Sequence, residues 1–367
     1  MKKCFLFYMN EKPIPINNGV TVAVAGMANS LVKYGNVYVL DYSTNQLYQF
    51  KADFLLEEVG SIRPKQFDVI ICSPILAIKN FLINKHRFDF KFNYIVAIIN
   101  DNYTYVLWRD VILSIKFLYF SKKELIKLIK IPYVYIAEAL LCTFPSKLIV
   151  QTKKDKSNFK FFPVSQEDIL VCPNGTQFNF KESDINKLNR TGVGLVASFN
   201  ETYLNVVIWF IDNVWVPLLY RSPTLKLHIV GKNNQRVYDY MKSKHPNSLS
   251  SIVVEPYYDD ISLFYSKMEV VVSPIFKGYG LINKTIEAMQ CGCIVVGDSA
   301  AFNGVYGFID KKHGFIANNA EVFIDTLFDI TKFDSEITQS MRVYAHQIIK
   351  DNFDWDRNAQ LLIESIS

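Results

Sequence analysis

The chain has 367 residues, half of them hydrophobic and 20% charged, with a formal net charge of +5. That apolar share excludes a disordered chain, and the length is about twice that of a typical domain, enough for two cores. A surplus of charge so small and spread gives no basis for a nucleic-acid partner.

Residues 1–12 (MKKCFLFYMNEK) hold two lysines before an apolar run too short for a signal peptide, so a first strand is expected over 4–8. Residues 13–32 are uncharged over about the length of a membrane span. Three asparagines, two prolines and two glycines make them too polar to cross, and PIPINNGV at 13–20 reads as a turn into an apolar helix with Gly19 at its start. Further strands are expected over 37–41, 67–72, 94–99 and 147–151, with helices between them.

The strand at 94–99 runs into IINDNYTYVLWR (98–109), which sets Asp101 and Asn102 at its carboxyl end with Arg109 beyond. Asp101 is read either as a base or as a helix cap. Residues 112–131 (ILSIKFLYFSKKELIKLIKI) are apolar, yet Lys116, Lys123, Lys127 and Lys130 fall within an arc of about 60° at helical spacing. Two readings stand: a basic amphipathic helix lying on an anionic membrane, or a domain helix with one solvated lysine edge.

Turn residues and charges replace apolar periodicity between Pro173 and Arg190, which places a boundary there. Beyond it, strands are expected over 193–198, 226–230, 251–254, 269–272 and 294–296. The alternation of strand and helix implies an α/β chain of two Rossmann-like units with parallel sheets. Ligands of such units lie outside the strand carboxyl ends, so the expected site is the cleft between the units.

Six cysteines (positions 4, 72, 142, 172, 291 and 293) mostly sit in apolar runs without paired C-x-x-C spacing, and read as small core residues in a reducing, cytoplasmic setting. The five histidines form no metal-ligand pattern; His313, in Lys312-His313-Gly314, is the one placed to approach the cleft. Asp259-Asp260 reads as a helix cap, and no catalytic metal is expected.

Residues 273–298 read SPIFKGYGLINKTIEAMQCGCIVVGD. A buried strand ends at Ser273, Gly278 and Gly280 permit a tight turn, and a helix over 281–290 begins with unpaired amides, a ready anion seat. Lys284 opposes the helix dipole there, which makes sense where an anion occupies the turn. Gly280, Lys284 and Glu287 share one stripe, so an anion on the first two leaves Glu287 a turn deeper, able to accept bonds from vicinal sugar hydroxyls. An ordinary solvated Lys284 and Glu287 pair is the alternative at this level.

This segment resembles the donor-binding segment of the GT-B glycosyltransferases, particularly bacterial members of glycosyltransferase family 4, which reads G-x-G-x-x-x-K-x-x-E-A. The resemblance extends to residues 194–232, to ILVCPNG at 169–175 as the turn between domains, and to 353–367 as a closing helix. It is good over about 165–367 and looser before.

The resemblance implies two Rossmann-like domains facing each other across a cleft: an acceptor-binding domain over 1–175, a nucleotide-sugar domain over 176–352, and a helix over 353–367 returning to the first. It implies a glycosyltransferase of surface polysaccharide biosynthesis, lipopolysaccharide or capsule. The acceptor would be a saccharide or lipid-linked oligosaccharide, and the enzyme would be cytoplasmic or peripheral on the inner membrane. The donor would be a UDP- or GDP-sugar, with no further cofactor. A GT-B epimerase or phosphorylase, or an inactive nucleotide-binding scaffold, are the alternatives.

For the donor it implies Lys277, Gly278, Tyr279, Gly280, Leu281, Ile282, Lys284, Thr285 and Glu287, with Lys284 and Glu287 also catalytic. Gly19 would face the donor phosphates, the backbone of Phe199 and Asn200 would approach them, and Tyr257 would stack on the base near Lys232. Asp101 would be catalytic on the acceptor side, with Asn102 and Arg109. Two departures stand out. Tyr279 occupies the position where many members carry a glutamate, so the resemblance favours retention of anomeric configuration but leaves inversion open. The segment SFNETYLN (198–205) lacks the family's Arg and Lys pair.

Overall fold

The computed structural model describes all residues except 1, 17, 60–65, 89, 117–121, 177–184, 186–189, 277–279, 334 and 367. The chain forms two compact units, Met1–Gly175 with Asp354–Ser367, and Thr176–Phe353.

The first unit is built on β1 (Lys3–Met9), β2 (Gly35–Asp41), β3 (Gln46–Phe50), β4 (Leu56–Val59), β5 (Gln66–Cys72), β6 (Lys91–Ile99), β7 (Lys147–Val150) and β8 (Ile169–Val171), in the order β4-β3-β2-β1-β5-β6-β7-β8. β1 lies inside the sheet, Phe5 pairing with Val37 on one side and Val69 on the other, and so it is apolar on both faces. Phe5, Phe7 and Met9 enter a core with Val24 of α1 (Gly19–Leu31); Leu6 and Tyr8 enter a second with Ile78 and Phe81 of α2 (Leu76–Phe88). α3 (Tyr103–Lys116) and α4 (Lys122–Cys142) follow β6 and pack against each other.

The second unit carries β9 (Val193–Val196), β10 (Leu227–Val230), β11 (Ile252–Val254), β12 (Val270–Ser273), β13 (Ile294–Gly297) and β14 (Phe315–Ile316), every described pairing parallel. Around them lie α5 (Glu201–Phe210), α6 (Gln235–Lys244), α7 (Asn283–Gln290), α8 (Ala320–Ile330) and α9 (Ser335–Asn352). The order β11-β10-β9-β12-β13-β14 reverses direction between β9 and β12. Connections leave in opposite directions there, and a crevice opens at the strand carboxyl ends.

The last helix, α10 (Trp355–Ser365), is part of the first unit and packs on α1. Trp355 explains two glycines. A methyl group on Gly26 of α1 would stand 2.1 Å from its Cε2, and one on Gly175 2.6 Å from its Cδ1. The indole therefore lies on bare backbone from two segments. Asn358 Nδ2 donates to Pro173 O at 2.6 Å, and Lys33 pairs with Asp356.

Three expectations are corrected. The first sheet is not wholly parallel: β3 pairs antiparallel with β2 and β4, a meander at one edge. Residues 169–171 form edge strand β8 on β7 instead of a turn. The four lysines of 112–131 are not on one helix: Lys116 is the last residue of α3 and the other three lie on α4, where Lys127 bonds Asp110 of α3 at 2.8 Å; residues 117–121 lie outside the described residues.

Candidate functional site

The crevice between β9 and β12 assembles from both strands. Val270–Ser273 is buried throughout, an all-apolar run closed by a serine, and the chain leaves it through Pro274 and Ile275. Asp298, after β13, holds that exit: its carboxylate accepts from Ile275 N–H at 2.7 Å and Ala300 N–H at 3.1 Å. Ser273 and Thr285 hydroxyls share a bond of 3.1 Å, which ties the strand end to α7.

Gly280 has a φ of +60°, a conformation open to glycine at no steric cost, and its chain enters α7 through Ile282. Ile282 stands at the N-cap position and has no side-chain acceptor to offer the amides of the first turn, where the positive dipole end lies. Leu281 and Ile282 are buried and anchor this turn in the core. Lys277, Gly278 and Tyr279 lie outside the described residues.

Lys284 and Glu287 rise from the first two turns of α7. Each keeps part of its surface open but is crowded by protein. This desolvation pulls the Lys284 ammonium down to about 8, against a smaller upward pull from Glu287. It pushes the Glu287 carboxyl up, against the Tyr265 hydrogen bond and the Lys284 charge.

Two tyrosines that sequence reading did not single out hold this pair. Lys284 Nζ stands 3.9 Å from the ring centroid of Tyr203 on α5. The hydroxyl of Tyr265, fully buried, donates to Glu287 Oε2 at 3.2 Å and lies 3.4 Å from Lys284 O. A small recess beside the lysine is lined by Val196, Ala197, Tyr203, Ser273, Pro274 and Lys284. A cation at a helix start, a carboxylate one turn on and a recess at the switch point can together seat an anionic group joined to a polyol.

Beneath the pair lies Arg190, buried, its guanidinium donating to the carbonyls of Tyr265 (3.0 Å), Met268 (3.1 Å) and Cys291 (2.5 Å). It fixes the backbone on which Tyr265 and the end of α7 are mounted.

The remaining donor-side expectations fare differently. Phe199 is fully buried; its N–H donates to Lys232 O at 2.9 Å and its carbonyl accepts from Arg236 at 3.2 Å. Asn200 N–H donates to Ser198 O at 2.8 Å, while its side chain caps α5 by accepting from Tyr203 N–H. These two amides donate within the protein. Arg236 is a cation beside this turn that spacing gave no reason to place there. Tyr257 is 78% exposed and the Lys232 side chain is exposed. His313 is buried, with Nδ1 accepting from Ile309 N–H at 2.9 Å, so its ring is committed to its own loop.

In the first unit Gly19 opens α1, with nothing within 4 Å of a methyl group built on it. Asn18 Oδ1 takes the Val20 and Thr21 amides at 2.9 and 3.0 Å, so those two donors are satisfied internally. Asn102 is buried and caps α3 by accepting from Tyr105 N–H at 2.8 Å. Glu138 of α4 accepts from Tyr103 N–H, Thr104 N–H and the Thr104 hydroxyl, at 2.7, 3.0 and 2.6 Å. These two side chains take the capping work, and Asp101 is left exposed just before α3. Desolvation by its neighbours raises its carboxyl; Asp155, beyond β7, is raised chiefly by its own desolvation, with a smaller push from the Asp101 charge. Arg109 lies six residues into α3, about 9 Å along the helix from its start. Asp101 belongs to the first unit, Lys284 and Glu287 to the second.

Among the described residues no three His, Cys, Asp or Glu side chains converge as metal ligands, and no helix is long and apolar enough to cross a membrane.

Residues 190–332, within the second unit, match the family model described as Glycosyl transferases group 1. The chain is 22% identical over 183 residues to an uncharacterized 44.6 kDa protein in the cps region of Klebsiella pneumoniae, a match covering 48% of this chain and 45% of that protein. The chain thus spans less than half the length of that relative. In structure it is similar over 99% of both chains to Anabaena HepE in complex with UDP and glucose, with a TM-score of 0.66 and 17% identity. It is also similar to the sucrose-phosphate synthase of Thermosynechococcus elongatus, with a TM-score of 0.68, 13% identity and 98% and 97% of the two chains covered. The fold is that of the GT-B glycosyltransferases, and the second unit carries the match to their group 1 domain.

Proposed function

We propose that this chain, GT-B in fold and matched to the group 1 glycosyl transferases over its second unit, moves a sugar from a nucleoside-diphosphate donor to a hydroxyl of a saccharide or lipid-linked oligosaccharide. We place this reaction in surface polysaccharide synthesis at a membrane that presents the acceptor. The capsule-region relative and the UDP complexes of HepE support a polysaccharide product and a UDP-sugar donor.

The observation that carries this reading is Lys284 in the first turn of α7, behind an N-cap residue with no side-chain acceptor, with Glu287 one turn on and held by Tyr265. The diphosphate is assigned to Lys284 and the amides of residues 280–282, and the ribose hydroxyls to Glu287. Transfer breaks the bond between the anomeric carbon and the diphosphate oxygen, which leaves with the electron pair. The acceptor oxygen bonds that carbon and releases its proton. Lys284 and the helix amides act on the growing leaving-group charge without a metal. Retention is the proposed outcome, with acceptor attack from the leaving-group side and the proton passing to the departing phosphate oxygen.

Calorimetric titration with UDP tests the donor assignment. Glu287→Gln is expected to bind about tenfold or more weakly, the loss of hydrogen bonds to a charged group, and unchanged affinity would remove Glu287 from the site. Release of UDP from UDP-sugars in the presence of a saccharide acceptor tests the transfer; tight UDP binding with no release against any acceptor would sink it.

A further inference from the structure

The helix pair α3 and α4 is apolar on the side turned away from the core. On α4, Ile126, Ile129, Tyr133, Ile136 and Leu140 follow one another at intervals of three and four residues, a single stripe along about four turns. All five are exposed, Tyr133 to 73% and Ile129 to 60%. Buried Glu138, Ala139 and Cys142 mark the opposite face of the same helix. α3 adds Trp108 and Ile112, half exposed. The sequence alone suggested a lysine edge on this segment; the structure shows an outward apolar stripe with lysines at its flank. A run of large apolar side chains this long, facing water on one unit of a folded chain, needs a covering partner.

We propose that this face is a membrane-docking surface for anionic lipid, the apolar stripe entering the boundary between headgroups and acyl chains. Charge selects this occupant. Residues 103–142 hold six basic residues against three acidic ones. One acid, Glu138, is buried as the cap of α3, and another, Asp110, is paired with Lys127. Lys122 and Lys130 are exposed, at helical positions on or flanking the stripe. Two copies of the chain meeting face to face on this stripe would oppose lysine to lysine, whereas phosphate headgroups complement them. Tyr133 and Trp108 suit the boundary itself, with an apolar ring and one polar tip. The surface lies within the first unit and stands independently of the proposed sugar transfer.

Sedimentation of the full chain with vesicles of pure phosphatidylcholine, and of phosphatidylcholine mixed with phosphatidylglycerol, tests it. The protein is expected to sediment with the mixed vesicles and far less with the neutral ones. Lys122→Gln with Lys130→Gln should weaken that binding about 25-fold, roughly fivefold for each lysine near the headgroups. Ile129→Asp with Ile136→Asp should abolish it, and should leave UDP affinity unchanged and the melting temperature little changed because both side chains are more than half exposed. Absence of sedimentation with mixed vesicles at low salt would overturn the proposal, as would undiminished binding by the aspartate variant. A concentration-dependent dimer that the aspartate variant dissociates would overturn it in favour of a second copy of the chain. Retained UDP affinity alongside lost lipid binding separates this failure from that of the donor site.

Discussion

The ammonium of Lys284 stands 3.9 Å from the centre of the Tyr203 ring, two side chains 81 positions apart in sequence. They meet because α5 leaves β9 and α7 follows β12, and these strands are neighbours at the point where the sheet reverses its order. A desolvated lysine with an aromatic face as partner is a cation held where anion binding restores what burial removes.

The pH dependence of UDP binding follows from that placement. Burial sets Lys284 at about 8 in the free protein, below its ordinary 10.5. The ionisation of Lys284 is expected to make affinity for UDP fall above about pH 8, by up to tenfold per unit, as binding comes to require proton uptake. The stability of the ligand-free protein moves the other way. Between about 8 and 10.5 the unfolded chain binds the proton more tightly, so stability rises with pH across that window. Lys284→Met should remove both slopes and weaken UDP binding at pH 7 without loss of melting temperature. Calorimetry at several pH values, with thermal melts alongside, measures both.

Tyr265→Phe isolates the hydrogen bond to Glu287. Burial raises the Glu287 carboxyl and the Tyr265 hydroxyl holds part of that rise back. Its removal should push the carboxyl further up, so the acid limb of the UDP affinity profile shifts to higher pH while affinity near pH 8 changes by only a few fold. A purely structural tyrosine would lower the melting temperature and leave the position of that limb unmoved.

Legibility in the sequence tracks what each element owes to its own residues. The ten strands expected from short apolar runs are all present, nine of them interior strands, which in a parallel sheet are apolar on both faces, and the tenth the edge strand β11 (IVV). Four strands at or near the sheet edges escaped. β3 (QLYQF) and β4 (LEEV) carry polar residues on their solvent side, and β8 and β14 span only three and two residues. Within the candidate site, Lys284 and Glu287 lie on one helix, and three residues of spacing sufficed to relate them. Tyr203, Tyr265 and Arg190 reach them only through the order of the strands and a buried guanidinium, for which no local pattern exists. The acceptors of the Phe199 and Asn200 amides, Lys232 O and Ser198 O, are likewise set by the fold of the turn and not by a local pattern.

Gly26→Ala tests the seat of the last helix. The added methyl group would stand 2.1 Å from Trp355 Cε2, within a core that also holds Val24, Ala359 and Leu362. Overpacking of this kind costs about 1–3 kcal/mol, and a contact this close belongs at the upper end. Trp355→Leu alone should cost a comparable amount by leaving a cavity. The double variant should be less destabilised than the sum, since the smaller side chain leaves room for the methyl group. Denaturant melts of all four proteins give the coupling, and strict additivity would mean that indole and glycine do not share the space.

Arg190→Lys asks whether charge or geometry matters beneath the site. The guanidinium places two nitrogens against three carbonyls, those of Tyr265, Met268 and Cys291, with Cys293 Sγ at 3.6 Å. Lysine keeps the charge but presents its donors from one nitrogen, so at least one buried carbonyl loses its partner at a cost of about 1–3 kcal/mol. Arg190→Met removes every donor and should cost more, although it also removes a buried cation. Both losses fall on backbone that carries Tyr265 and the end of α7, so UDP affinity should decline in Arg190→Lys even at temperatures where circular dichroism reports a fully folded protein. Stability lost with affinity intact would mean that Arg190 supports the fold alone and does not position Glu287.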